Sequence, residues 1–466
     1  MSPLKIFEKN PRYFTDGSGK AVYLTGSHTW ANFIDIGSQD PPPKFDYVGY
    51  LEFLQGHNHN FFRLWNWEHA KWATWTKGDL WFNPSPYKRP GPGTALDGKP
   101  KFDLTQFNQE YFDRMRQRVV QAGERGIYVS VMLFNGFSIE CKEPEEEGRY
   151  LDRIERALRS WWNDGERSTK NGNPWRGHPF NRYNNVNGID GDPDKDGEGK
   201  EVHTLRSLEI TRVQERYVKK VIDTLNDLPN VLWEISNESH SDSIKWQYHM
   251  IRFIKNYESA KPFQHPVGMT VAWPGGKNSD LFDSPADWIS PNDQGFDSYK
   301  EDPPAASGRK VVLTDTDHLW GVGGDWKWVW KSFFRGLNPI FMDPYIVEEF
   351  QNHPTRPDWE PVRKNMGYSR LFAERINLKE MVPRPELSST GYCLAQGGKE
   401  YAVYVPGGGD VTVDLSGASG EFDLEWFDPT TGTTAQGGST AGGVVSPLRT
   451  PFTNDAILYI YERKLQ

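Results

Sequence analysis

Cysteine is nearly missing from this sequence: Cys141 and Cys393 are the two in a chain of 466 residues. A disulfide-stapled scaffold is therefore excluded, and neither cysteine has metal-ligand or redox spacing around it. Two free core thiols are expected, with a bridge between them as the alternative. A basic excess is missing as well. Lys and Arg total 54 against 63 Asp and Glu, a net charge of −9. That is the wrong sign for a surface that binds nucleic acid. No apolar run approaches the ~20 residues of a spanning helix, so no membrane segment is expected. The opening Met1-Ser2-Pro3-Leu4-Lys5 carries no apolar leader stretch. The expected location is secreted or periplasmic if a leader has been removed, and cytoplasmic otherwise. Oligomeric state is left open.

Aromatic residues, by contrast, are abundant: 19 Trp, 20 Tyr and 26 Phe, or 14% of the chain. Many indoles lie in Gly-, Pro- and Asn-rich stretches, among them Trp65, Trp67, Trp72, Trp75, Trp81, Trp175, Trp273, Trp320, Trp326, Trp328 and Trp330. A flat ring with one polar edge suits the face of a sugar, whose C–H groups pack on it while a hydroxyl meets the N–H. The competing reading is that half or more of them pin long loops to the body of the protein.

Short apolar runs alternate with helical periodicity, the pattern of βα units. Strands are expected at Ala21–Thr25, Asn60–Trp65, Ile127–Leu133, Val231–Ile235, Pro266–Val271, Trp288–Ser290, Val311–Thr314 and Pro339–Met342. Helices are expected at Tyr47–Gln55, Phe107–Arg125, Arg149–Trp162, Thr211–Leu228, Ser243–Ser259, Trp326–Arg335 and Pro357–Ile376. Eight strands with intervening helices imply a (β/α)8 barrel over residues 1–380, whose working face lies at the strands' C-terminal ends. From Met381-Val382-Pro383-Arg384-Pro385, read as a linker, the helical pattern gives way to short strands between turns. Residues 381–466 are expected to form a small β-sandwich. Residues 66–106 and 163–204 are insertions long enough to be functional.

Two strand ends carry acids. The run Val231-Leu232-Trp233-Glu234-Ile235-Ser236-Asn237-Glu238 leaves an apolar strand on Asn-Glu. Period-2 alternation puts Glu234 deep and Glu238 at the rim of one face, where partial burial would raise the Glu238 carboxyl so that it holds a proton. The run Lys310-Val311-Val312-Leu313-Thr314-Asp315-Thr316-Asp317-His318-Leu319-Trp320 supplies a second acid, Asp317 or Asp315, on a shared face if the strand continues. Two carboxyls ~5–5.5 Å apart give a covalent glycosyl intermediate and retention, whereas ~6.5–9.5 Å leaves room for a water and gives inversion. The competing reading for the second pair is a metal site or a loop cap. Arg63 ends strand two and is placed to hold a carboxylate ionised. His28, Trp30, Trp67, Asn237, Trp273, His318 and Trp320 are candidate substrate contacts at the same face, while Asn292 and Asp343 end strands six and eight.

In Asp190-Gly-Asp192-Pro-Asp194-Lys-Asp196-Gly197-Glu198, the residues Asp192, Asp194, Asp196 and Gly197 match positions 1, 3, 5 and 6 of a calcium loop. His203 stands where the bidentate Glu belongs, so the choice is between a Ca2+ loop and a solvated acidic turn.

Asn-Glu at the end of strand four resembles the clan of (β/α)8 retaining glycoside hydrolases that includes cellulases and β-mannanases. The opening Asn10-Pro-Arg-Tyr-Phe-Thr-Asp-Gly and Val22-Tyr-Leu-Thr-Gly-Ser-His-Thr-Trp30 resemble the apiosidase-like glycoside hydrolases, many of which carry a C-terminal collagen-binding-type β-domain similar to residues 390–466. The resemblance implies Glu238 as acid/base, Asn237 on the hydroxyl beside the scissile bond, a polysaccharide or oligosaccharide substrate, and no cofactor. It also implies a Glu nucleophile on strand seven, where this chain has Asp315 and Asp317. A non-catalytic carbohydrate-binding barrel and a metal-dependent hydrolase using Asp315 and Asp317 are the alternatives.

Overall fold

A computed structural model of the chain describes residues 2–74, 78–141, 172–294, 298–345 and 358–463. Eight parallel strands make one sheet: β1 (Gly26–His28), β2 (Phe61–Leu64), β3 (Tyr128–Asn135), β4 (Val231–Asn237), β5 (Val267–Thr270), β6 (Trp288–Ser290), β7 (Val311–Asp315) and β8 (Asn338–Met342). Consecutive strands are neighbours, and β8 pairs with β1 through Ile340 and Gly26. Side chains close the remaining seam between β1 and β2. Asn60 takes the Thr25 N–H at 3.0 Å and donates to the Tyr23 carbonyl at 2.8 Å, while its own N–H reaches the Thr25 carbonyl. His59 Nδ1 accepts from the Ser27 N–H at 3.2 Å. Gly26 is required here, because a Cβ would lie 2.1 Å from the Phe61 carbonyl oxygen.

β3 and β4 are buried at every residue, as strands covered on both faces must be. The helices are α1 (Tyr47–Gly56), α2 (Gln109–Gly123), α3 (Leu208–Leu225), α4 (Ile244–Glu258), the short α5 (Asn278–Phe282) and α6 (Thr316–Trp320), α7 (Trp326–Phe334) and α8 (Glu360–Arg375). In α3, Ser207 caps the Ile210 N–H, and Ile210, Val213, Tyr217, Val221 and Leu225 bury one helical stripe. The barrel interior is layered by the period-2 alternation. Phe61, Tyr128, Leu232, Trp288, Val311, Leu313 and Ile340 fill its lower part. The inward positions next up the strands, Arg63, Ser130, Glu234, Ser290 and Asp315, are polar.

The two long insertions share a small core of their own, in which Phe102 and Leu104 pack with Trp175, Phe180, Ile189 and Val202. The C-terminal region is antiparallel: β9 (Val382–Pro383), β10 (Cys393–Gln396), β11 (Glu400–Val405), β12 (Asp410–Asp414), β13 (Glu421–Asp428), β14 (Thr433–Ala441), β15 (Val445–Arg449) and β16 (Ala456–Glu462). One face of its six-stranded sheet, with β12 and β15, encloses Val403, Val413, Phe422, Trp426 and Leu458. The other face sets Tyr404, Ile457 and Tyr459 against Trp330, Phe334 and Phe372 of α7 and α8. The C-terminal region therefore packs on the barrel.

Several expectations are corrected. The first strand is Gly26–His28 rather than Ala21–Thr25, because Val22 and Thr25 are held by Phe14 and Asn60 outside the barrel ladder. Val382–Pro383 of the expected linker is an edge strand paired with Leu394 and Ala395. Both cysteines are free, which removes the bridge. The expected helix Arg149–Trp162 lies outside the described residues.

Asn60→Ala leaves the Thr25 N–H without its acceptor in a buried seam, so it should cost about 2–3 kcal/mol. Guanidinium unfolding measures this, and an unchanged midpoint would mean that the seam is closed by other contacts.

Candidate active site

Arg63 lies at the centre of the polar layer, 1% exposed. Its Nε and Nη2 grip Glu234 at 3.0 and 2.6 Å, and Nη2 also donates to Asn237 Oδ1 at 2.6 Å. Nη1 donates to Asp315 Oδ2 at 2.9 Å and to Asp317 Oδ2 at 3.2 Å. One cation thus faces three carboxylates from β4, β7 and the turn after β7. Ser130 Oγ donates a further bond to Glu234.

Asp315 is fully buried and fully engaged. Its Oδ1 lies 2.9 Å from His28 Nε2 and also accepts the Asp317 N–H at 3.0 Å. The Trp65 indole N–H donates to His28 Nδ1 at 2.9 Å, which leaves Nε2 as the nitrogen that donates to Asp315. Burial alone would raise the Asp315 carboxyl, but contacts with His28 and Arg63 outweigh it and hold the group well below the usual carboxylate range.

Asp317 has the opposite balance. Burial, repulsion from Glu238 and repulsion from Asp315 together exceed the pull of Arg63, and its carboxyl is raised well above the ordinary value. Glu238 therefore acts across the barrel mouth on Asp317. The physical reason is saturation: Glu234 and Asp315 already neutralise the guanidinium, so a third acid gains little from it. Asp317 is thus the under-compensated acid of the three on Arg63.

The local backbone differs from the simple alternation read in the sequence. β7 stops at Asp315, which caps α6 and receives the Asp317 N–H. Asp315 and Asp317 face the same guanidinium through a turn, not through a continued strand. β4 stops at Asn237, and Glu238 takes a left-handed conformation with φ +44°. Gly136 permits this, since a Cβ there would lie 2.3 Å from the Glu238 carbonyl oxygen. Alternation assigns Asn237 to the far face, yet its Oδ1 meets Arg63. That contact fixes the amide orientation and leaves the buried Nδ2 without a hydrogen-bond partner among the described residues.

The remaining candidates divide by burial. His318 pairs through Nδ1 with Ser290 Oγ at 2.8 Å and stands 3.4 Å from Asn237 Oδ1, and burial pushes it down to about 3. His28 and Trp67 are buried, Trp67 against Trp65 and Phe82, so both support the site from behind. Trp30, Trp273 and Trp320 are half-buried, with Trp273 stacked on Phe137 and Trp320 edge-on to Trp328. Of the other indoles, Trp72, Trp175, Trp328 and Trp330 are buried packing residues, the last two on α7. Asp343 is held by Arg363, and the Asn292 backbone by Asn278.

Asp315, Asp317 and His318 come close enough to share a cation. The Arg63 guanidinium already bridges the two aspartates there, so a metal would have to displace it.

A second cluster went unread in the sequence. Glu68 accepts the Asn135 N–H at 2.8 Å and lies 3.2 Å from His203 Nε2 and 3.6 Å from His178 Nε2. Burial raises Glu68, but the two histidines outweigh that and hold it down to about 2. His203 Nδ1 also reaches Ser239 Oγ at 2.8 Å, beside Glu238. The only local signal was an acid just past a strand end.

Residues 379–460 match the family "Putative collagen-binding domain of a collagenase". No curated protein matches the chain. Solved structures that resemble it are glycoside hydrolases. One has a TM-score of 0.60 at 14% identity, covering 99% of this chain and 97% of that one. A family 5 glycoside hydrolase from Bacteroides vulgatus gives 0.59 at 14%, covering 99% and 93%. A further glycoside hydrolase from the same organism gives 0.63 at 13%, covering 99% and 82%. At this identity the likeness shows a shared fold.

A raised carboxyl costs stability once the unfolded chain ionises. Asp317's contribution is present below the ordinary carboxylate range and lost as pH rises through its folded value. Asp317→Asn should therefore raise Tm at pH 7 by about 1–3 °C, with the gain vanishing near pH ~4. A lower Tm at pH 7 would contradict this balance.

Proposed function

We propose that this chain is a glycoside hydrolase that cleaves O-glycosidic bonds of plant or microbial polysaccharides or oligosaccharides, with Glu238 as acid/base and Asp317 as nucleophile. The observation that carries the reading is the pair itself: Glu238 acts on Asp317 from another strand end, and Arg63 holds an Asp317 oxygen at 3.2 Å. Asp315 is a positioning residue, since both its oxygens are engaged by Arg63, His28 and the Asp317 N–H.

In this reading Glu238 protonates the glycosidic oxygen as the bond to the anomeric carbon breaks, and Asp317 forms the new bond to that carbon. Glu238, now ionised, takes a proton from water as water displaces Asp317, and the sugar leaves as a hemiacetal. The cycle starts with Glu238 protonated and Asp317 ionised, so the proton favoured by the raised Asp317 carboxyl has to be given up before attack. In this reading Asn237 Nδ2, buried without a hydrogen-bond partner among the described residues, donates to a substrate hydroxyl oxygen. Trp30, Trp273 and Trp320 keep part of their rings accessible for sugar faces. The likeness of the opening segment to apiosidase-like hydrolases supports the same reaction class, and the fold shared with glycoside hydrolases agrees with it.

The test is a panel of aryl glycosides and plant polysaccharides assayed with the wild-type protein and Glu238→Gln. Wild type should turn over at least one substrate, with proton NMR showing the retained anomer first. Glu238→Gln should lose about 10²–10⁴-fold in kcat while sugar binding by calorimetry persists. Full activity in the variant sinks the assignment. Glycan binding without turnover by the wild type would favour a non-catalytic carbohydrate-binding barrel.

A further inference from the structure

The second insertion carries two clusters of polar side chains. Asp192, Asp194 and Asp196 gather at a surface turn and accept the N–H groups of Gly197, Asp196 and Glu198, as a solvated acidic turn does. His178 and His203 differ, because both rings are buried and both face Glu68 just past β2.

That buried group leads to Glu238. Glu238 follows β4 with φ +44°, a left-handed backbone that a residue with a side chain keeps only where its surroundings over-determine it. Two contacts confine the turn. On one side Gly136 lies against the Glu238 carbonyl and the Ser239 Cα, so closely that a Cβ would meet them at 2.3 and 2.8 Å. On the other, the Ser239 hydroxyl lies 2.8 Å from His203 Nδ1. Both contacts lead back to one atom. Glu68 Oε2 accepts the N–H of Asn135, the residue before Gly136, at 2.8 Å, and it stands 3.2 Å from His203 Nε2.

His203 has no room to leave that line. Its ring is fully buried, stacked on Trp246 with the centroids 4.5 Å apart and edge-on to Phe134. Its Nε2 has no other acceptor among the described residues, and the carboxylate beside it favours the ring proton there. Nδ1 is left to accept from the Ser239 hydroxyl, whose oxygen lies 2.5 Å from Ser236 Oγ. Burial would raise the Glu68 carboxyl, but the two histidines outweigh it and keep the group ionised. Apolar packing would fill this space without desolvating an anion. What the anion adds is direction, because a single oxygen fixes the end of β3 and the ring that grips Ser239.

We propose that Glu68 and His203 are positioning residues for Glu238, holding both flanks of its turn so that its carboxyl stays aimed at the leaving-group oxygen. They act through Asn135–Gly136 on one side and through Ser239 on the other. This role rests on Glu238 being the acid/base of the proposed glycosidase, and it has its own signature. A displaced acid slows the departure of a leaving group that needs a proton and spares one that does not. A loss of folded protein slows both alike.

The variants are Glu68→Gln, which removes the charge and keeps an oxygen for the Asn135 N–H, and Ser239→Ala, which removes one hydroxyl and is the milder change should the first fail to fold. For each, kcat/KM is measured on phenyl and 2,4-dinitrophenyl glycosides of a sugar that the wild type cleaves, since this ratio reports transition-state stabilisation from free enzyme onward. Each variant should lose about 10- to 100-fold on the phenyl glycoside and less than about 2-fold on the dinitrophenyl one, with binding of the free sugar unchanged. Equal loss on both glycosides, or no loss on either, in either folded variant overturns the positioning role and leaves the glycosidase reading in place. No turnover of any glycoside by the wild type overturns that reading and this role together.

Discussion

The structure depends on how one guanidinium is shared. Arg63 enters the barrel from β2 with no solvent to satisfy it, and its charge is met by two fully buried acids, Glu234 and Asp315. Taking the arginine away would strand those charges in the interior, a defect of about 3–5 kcal/mol. Because the cation is already neutralised, the third acid on it, Asp317, stays under-compensated. The same contact that stabilises the barrel interior thus leaves the Asp317 carboxyl raised at its mouth.

A second layer of constraint comes from the insertions. They build a joint core around Trp175, Phe102 and Phe180, and from that core His178 and His203 extend to Glu68 at the rim. His203 then reaches Ser239, whose Oγ lies 2.5 Å from Ser236 Oγ and whose carbonyl accepts the Trp273 N–H at 3.0 Å. The turn that carries Glu238 in its left-handed conformation is therefore held on both sides by packed elements. A side chain placed this way loses little freedom when substrate arrives, which is what preorganised catalysis requires.

Much of the barrel was legible in the sequence, because parallel strands buried on both faces read as apolar runs and their helices as 3.6-residue periodicity. The acids at the ends of β4 and β7 were legible for the same reason: a charged residue closing an apolar run is conspicuous. Side-chain direction at those ends was less so. Alternation holds only while a strand lasts, and β4 and β7 end at Asn237 and Asp315, so Asn237 turns in to Arg63 and Asp315 becomes a helix cap. His28 read as a sugar contact because no sequence shows that Trp65 and Asp315 bracket its ring. The Glu68–His178–His203 group was invisible, since Glu68 lies more than a hundred residues from both histidines.

The account's central claim is geometric, and a crystal structure of the chain measures it directly. The shortest carboxyl–carboxyl separation between Glu238 and Asp317 should fall at ~5–5.5 Å, the span of a retaining pair, with Arg63 bound to Glu234 and Asp315. A separation of ~6.5 Å or more, or Arg63 withdrawn from Asp315, would contradict it.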